Sequence, residues 1–140
     1  MKARAIKGLD PNGALRPTVA RIVSIRLDEL REFADHALAP DASDAQHDMR
    51  IAAKRLRYAL EIFEPCLDEE ATAARAAAKR LQSVLGDLHD CDLMLAKVEH
   101  IGSVATALRA RRRRLHRDFV ELWQAEASKG TWAALKTIVV

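Results

Sequence analysis

Aromatic residues are scarce in this chain, three Phe, two Trp and one Tyr among 140 residues. Strands lean on aromatic and β-branched side chains, so that scarcity argues against a sheet. Only two cysteines occur, Cys66 and Cys91, far apart and in no Cys-x-x-Cys spacing, which excludes a disulfide framework. No stretch approaches the roughly 20 apolar residues of a membrane span, so membrane insertion is excluded while surface association is not. Nor is there a short apolar run with a cleavage site near Met1, and the expected location is the reducing cytoplasm. Charge of one sign is not in large excess either: 23 basic against 20 acidic groups leave a net charge of +3, so arrangement matters more than total.

What is present is 49% hydrophobic and 31% charged residues, with Ala, Leu, Arg and Glu prominent. These residues favour helix, and 140 residues suffice for one domain with its own core. The expected fold is all-α: an antiparallel four-helix bundle over 17–127, preceded by an irregular arm (1–16) and followed by a short helix in 128–140. Asp10-Pro11-Asn12-Gly13 breaks the arm. A first helix runs from about Pro17 to Ala39, where Pro40 and the Asp-rich stretch stop it. Ser43 or Asp44 can cap a second, from about Ala45 to Glu64, ended by Pro65. A third spans Glu69 to Glu99, with Gly86 a candidate bend. The fourth covers about Ser103 to Ala127, and Gly130 separates it from an amphipathic tail with Trp132, Leu135 and Ile138.

The second helix carries the chemistry. At 100° per residue, Arg50, Lys54, Arg57 and Glu61 share an arc roughly 60° wide with His47 beside it. Ala53, Leu60, Met49 and Leu56 flank the arc on one side, and Tyr58, Ile51 and Ile62 on the other. A cationic row between two apolar strips belongs in a groove, where carboxylates or an anionic ligand must offset repulsion and desolvation. The internal carboxylates available are Glu61, Asp87, Asp90 and Asp92. On the fourth helix Arg112 falls inside the apolar arc of Leu108, Leu115, Phe119, Leu122 and Trp123, with Arg109 and His116 at its edge. Arg26 falls likewise among Val19, Val23, Leu30 and Phe33 of the first helix. Arg55, Arg111, Arg114 and Arg117 point elsewhere and are expected to be solvated or paired.

The run from His47 through Arg50, Lys54, Arg55 and Arg57 to Glu61 resembles the signature helix of the CHAD family, the conserved histidine α-helical domain. Leu81-Gln82-Ser83-Val84-Leu85-Gly86-Asp87-Leu88-His89-Asp90 is similar to its second signature. Gly8-Leu9-Asp10-Pro11 and Phe119-Val120-Glu121-Leu122-Trp123 extend the resemblance to essentially the whole chain. The resemblance implies a helical bundle whose basic channel binds inorganic polyphosphate, in a family associated with polyphosphate granules. It places His47, Arg50, Lys54 and Arg57 on the first signature's His and basic positions, and His89 and Asp90 on the second's. Arg26, Arg109, Arg112 and His116 join the binding set from helix phase alone. Such domains commonly hold two related halves, whereas each signature occurs once here, so a homodimer is the expected completion, with a monomer carrying an open groove as the alternative.

A binding role needs no nucleophile, no cofactor and no metal. A rival reading makes His47, His89, Asp87, Asp90 and Asp92 a metal-dependent phosphohydrolase centre, although their spacing matches no zinc signature. Another has the Arg109 to Arg117 run bind nucleic acid as a side activity, with few aromatics available to stack bases.

Overall fold

The computed structural model describes residues 3–7 and 14–138. Its regular structure among them is entirely helical: α1 (Leu15–Ala37), α2 (Ser43–Ile62), α3 (Glu69–Val98), α4 (Gly102–Lys129) and α5 (Thr131–Ile138), with a 3₁₀ turn at Glu64–Cys66. The arm breaker at 10–13 and the familiar 8–11 stretch lie outside the described residues. No described helix is long and apolar enough to cross a membrane.

Helix boundaries follow from local chemistry. Pro65 closes α2 into the 3₁₀ turn. Gly130 ends α4 in the left-handed conformation at φ 73°, which glycine adopts without a Cβ penalty. Ser43 is the first residue of α2 and caps nothing; its hydroxyl accepts a hydrogen bond from Arg112 instead. α3 runs unbroken through Gly86, the candidate bend.

The four long helices pack mainly on their sequence neighbours, α1 on α2, α2 on α3 and α3 on α4. Cross-links step in opposite directions along each pair, as antiparallel hairpins require: Arg112 to Asp92 and Arg80 to Glu126 between α3 and α4, Gln46 to Ala37 and Arg55 to Glu29 between α2 and α1. α5 packs on α3, α4 and α1, and so bridges the outer helices. The core gathers Leu27 and Leu30 of α1, Met49, Leu56 and Leu60 of α2, Leu81, Leu85 and Leu88 of α3, Phe119 of α4, and Trp132 and Leu135 of α5. Each such side chain taken out of water contributes about 1.5–3 kcal/mol. Alanines at 74, 77 and 78 of α3 are fully buried and present little bulk to the helices around them.

Arg112 is the polar tie of the assembly. Its Nε donates to Asp92 at 2.6 Å, its Nη1 to the Pro40 carbonyl at 2.7 Å, and its Nη2 to Gln46 at 2.7 Å and Ser43 at 3.1 Å. One guanidinium thus joins α4 to α3, to the α1–α2 turn and to the start of α2. Gln46, itself buried, also donates to the carbonyls of Ala37 and Ala39. Replacing Arg112 strands Asp92 and Gln46 together, so Arg112→Ala should lower stability by about 2–3 kcal/mol. Urea denaturation checks this, and a loss within error of zero contradicts it.

Candidate functional site

The seam between α2 and α3 opens to solvent as a shallow trough of about 280 Å³. Arg50 and Arg57 line it from α2; Lys79, Gln82, Ser83, Gly86, Asp87 and Asp90 line it from α3. The α3 residues recur at three- and four-residue spacing and therefore occupy one helix face. Gly86 is the reason the trough admits Arg50, since a Cβ on it would stand 3.3 Å from the Arg50 Nε. The glycine of the second signature is therefore a seat for the arginine of the first.

The cations here are poorly offset. Arg50 takes part in no ion pair among the described residues, and its Nε is buried without a hydrogen-bond partner. Arg57 lies 3.3 Å from Glu61, yet its N–H is not aimed at the carboxylate and its Nε is likewise unbonded. Its guanidinium sits 4.6 Å from the centre of the Tyr58 ring. Gln82 adds a buried, unpartnered Oε1. Asp87 and Asp90 line the same trough but hold neither arginine in an ion pair. Most buried polar groups in folded proteins find partners, so this concentration of unbonded ones marks ground that a ligand can occupy.

His47, three residues before Arg50 on α2, and His89, three residues after Gly86 on α3, are not among the trough's lining residues; they stack on each other, with ring centroids 4.3 Å apart and planes 25° from parallel. Their rings lie face to face, and among the described residues no three His, Cys, Asp or Glu side chains are grouped to hold a metal. The proposed set of His47, His89, Asp87, Asp90 and Asp92 is also divided, because Asp92 is bound to Arg112.

The remaining candidates separate into two groups. Arg112, expected to face a ligand, is committed to Asp92, Pro40, Gln46 and Ser43, because its place inside the apolar arc demands internal partners. Arg26 is likewise tied, 3.5 Å from Glu29 and bonded to the Arg4 carbonyl. Neither lines the trough. Lys54 is exposed, beyond the trough's lining and 5.9 Å from the Tyr58 ring. Of its two expected apolar flanks, Met49, Ala53, Leu56 and Leu60 are core, whereas Tyr58 and Ile62 are on the surface. Arg109 and His116 belong to a separate cavity on α4. Lys79, Gln82 and Ser83 were not among the expected site residues; stepping 100° along α3 from Gly86 would have found them.

The family model described as CHAD domain matches residues 2–99. That span holds α1 to α3 and both walls of the trough, and leaves out α4 and α5, so the match is narrower than the whole-chain resemblance expected from sequence. No curated protein and no solved structure matches the chain.

Burial of the His47 ring, and after it the neighbouring His89 and Arg50, hold its pKa below the ordinary 6.5, with Asp48 pulling the other way. The fold therefore resists a proton that the unfolded chain accepts. Stability contributed by neutral His47 is present above about pH 6.5, falls as pH drops through that value, and levels off below the folded-state pKa. Comparing urea unfolding at pH 7.5 and 5.5, His47→Phe should lose less stability than the native chain. An equal loss in both would assign the pH dependence to other groups.

Proposed function

The chain belongs to the CHAD domain family, and from that premise we propose that its α2–α3 trough is a binding site for inorganic polyphosphate, held without chemical turnover. One observation carries the reading: Arg50 and Arg57, on the signature helix, have buried Nε–H groups with no hydrogen-bond partner in an open trough. A phosphate chain offers about one negative charge per unit and acceptor oxygens throughout, and so answers both the charge and the unbonded donors. Arg50 and Arg57 would fork phosphate oxygens, and Lys79 on the opposite wall would act as a compact point charge. Gly86 keeps the Arg50 side chain seated rather than touching ligand.

Two copies of this chain could complete a longer channel, and the exposed Leu93, Met94, Ile101 and Val104 near the α3–α4 turn offer an apolar surface for that pairing. Affinity should fall with salt, as cation rows that displace counterions do.

Reversing one cation on each wall, Arg50→Glu with Lys79→Glu, should weaken long-chain polyphosphate binding by about 100-fold or more, at roughly 1.5–3 kcal/mol for each charge-assisted contact. Titration calorimetry reads the affinity and circular dichroism confirms the helices; retained affinity removes the trough from the account. Gly86→Ala is the finer probe. Alanine favours helix by about 1 kcal/mol, so this variant should melt no lower than the native chain while displacing Arg50 and binding several-fold more weakly. Unchanged affinity would show that the Arg50 seat is irrelevant to binding.

A further inference from the structure

A second cavity of about 600 Å³ lies between α4 and the α1–α2 turn. It shares no lining residue with the trough and its helical wall lies beyond the residues matched to the family model. Pro40 and Asp41 form one side; Arg109, Arg113, Arg117 and His116 form much of the other. Arg109, Arg113 and Arg117 succeed one another at four-residue intervals, about 6 Å apart along the helix axis. All three are exposed, and none is within an ion pair among the described residues, although Asp41, Asp118 and Glu121 are close in sequence or space.

A row of arginines alone would be a solvated face. His116 makes this one different. It is 8% exposed, it contributes to the lining, and its Nε2 is buried with no hydrogen-bond partner. Phe119 holds the ring edge-on with centroids 6.0 Å apart. Arg112 passes beside the cavity but is spent on Asp92, Gln46, Ser43 and Pro40, so it supplies a fixed wall and positive potential rather than free donors.

We propose that this α4 cavity is a second anion site, independent of the trough, that takes a compact multiply charged phosphate anion of the pyrophosphate class. Arg109, Arg113 and Arg117 supply forked donors at its rim, and the imidazole of His116, turning slightly toward the cavity it already lines, supplies a hydrogen bond at its floor. A concave site with a buried polar floor suits a small oxyanion better than a nucleic-acid backbone lying across a convex helix. No Phe, Tyr or Trp lines the cavity to stack a base.

The test is titration calorimetry of the full chain with pyrophosphate at low salt. The trough variant carrying Arg50→Glu and Lys79→Glu should bind it within about twofold of the native chain, whereas Arg109→Glu with Arg113→Glu should lose at least about tenfold, with native circular dichroism. His116→Phe keeps the ring and its packing but should weaken binding several-fold, and His116→Gln should recover part of it. ATP compared with pyrophosphate identifies the source: tighter ATP binding points to a nucleotide's phosphate tail, weaker ATP binding to a free oligophosphate, and both support the site. Native pyrophosphate affinity in the Arg109→Glu, Arg113→Glu variant overturns the proposal. So does displacement of pyrophosphate by duplex DNA at equal charge, which would make the face a nucleic-acid surface. Because the trough variant is scored separately, the polyphosphate reading can fail without this one failing.

Discussion

Arg50 lies in the seam between α2 and α3 with its guanidinium against Gly86 and its Nε buried but unbonded. That placement sets the character of the site. A guanidinium N–H withdrawn from water needs an anion or acceptor, and the helices around it provide core on one side and an open trough on the other. Arg57, about two helical turns further along α2, repeats the condition with only a misdirected contact to Glu61. The site is therefore defined by what its cations lack.

The same chain shows how cations are handled when they serve the fold. Arg112, Arg55 and Arg26 all point toward packed surfaces, and each has a carboxylate: Asp92 for the first and the buried Glu29 for the other two. On α3, Arg80 reaches Glu126, where the Thr131 hydroxyl also donates; burial of that carboxyl works against ionisation, but the two hydrogen bonds prevail and hold its pKa below the ordinary carboxylate value. Arginines that join helices are thus paired, whereas Arg50 in the trough and Arg109, Arg113 and Arg117 at the α4 cavity take part in no ion pair among the described residues, and Arg57 has only its contact with Glu61. That division separates structure from function more sharply than their positions along the helices do.

Much of this was legible in the sequence. Helical periodicity, Pro40, Pro65 and Gly130 placed the five helices within a few residues, because breakers and caps act locally. The shared face of Arg50 and Arg57 was likewise a matter of phase. The partners were not legible. Phase showed that Arg112 points inward, but not that Asp92 waits for it, since pairing depends on how helices from distant parts of the chain align. Gly86 read as a weak point in a helix because propensity is a local quantity, whereas its role arises from a neighbour 36 residues earlier, Arg50. Lys54 shares the arc with Arg50 and Arg57, yet a displacement of 40° or so around the helix carries it out of the seam and onto the surface.

The central claim concerns two particular nitrogen–hydrogen bonds, and nuclear magnetic resonance can observe them. In the ¹⁵N-labelled chain, the guanidinium Nε–Hε signals of Arg50 and Arg57 should shift and gain protection from solvent exchange when polyphosphate is added, while those of the internally bonded Arg112 stay in place. Polyphosphate binding with no change at Arg50 and Arg57 would contradict the account.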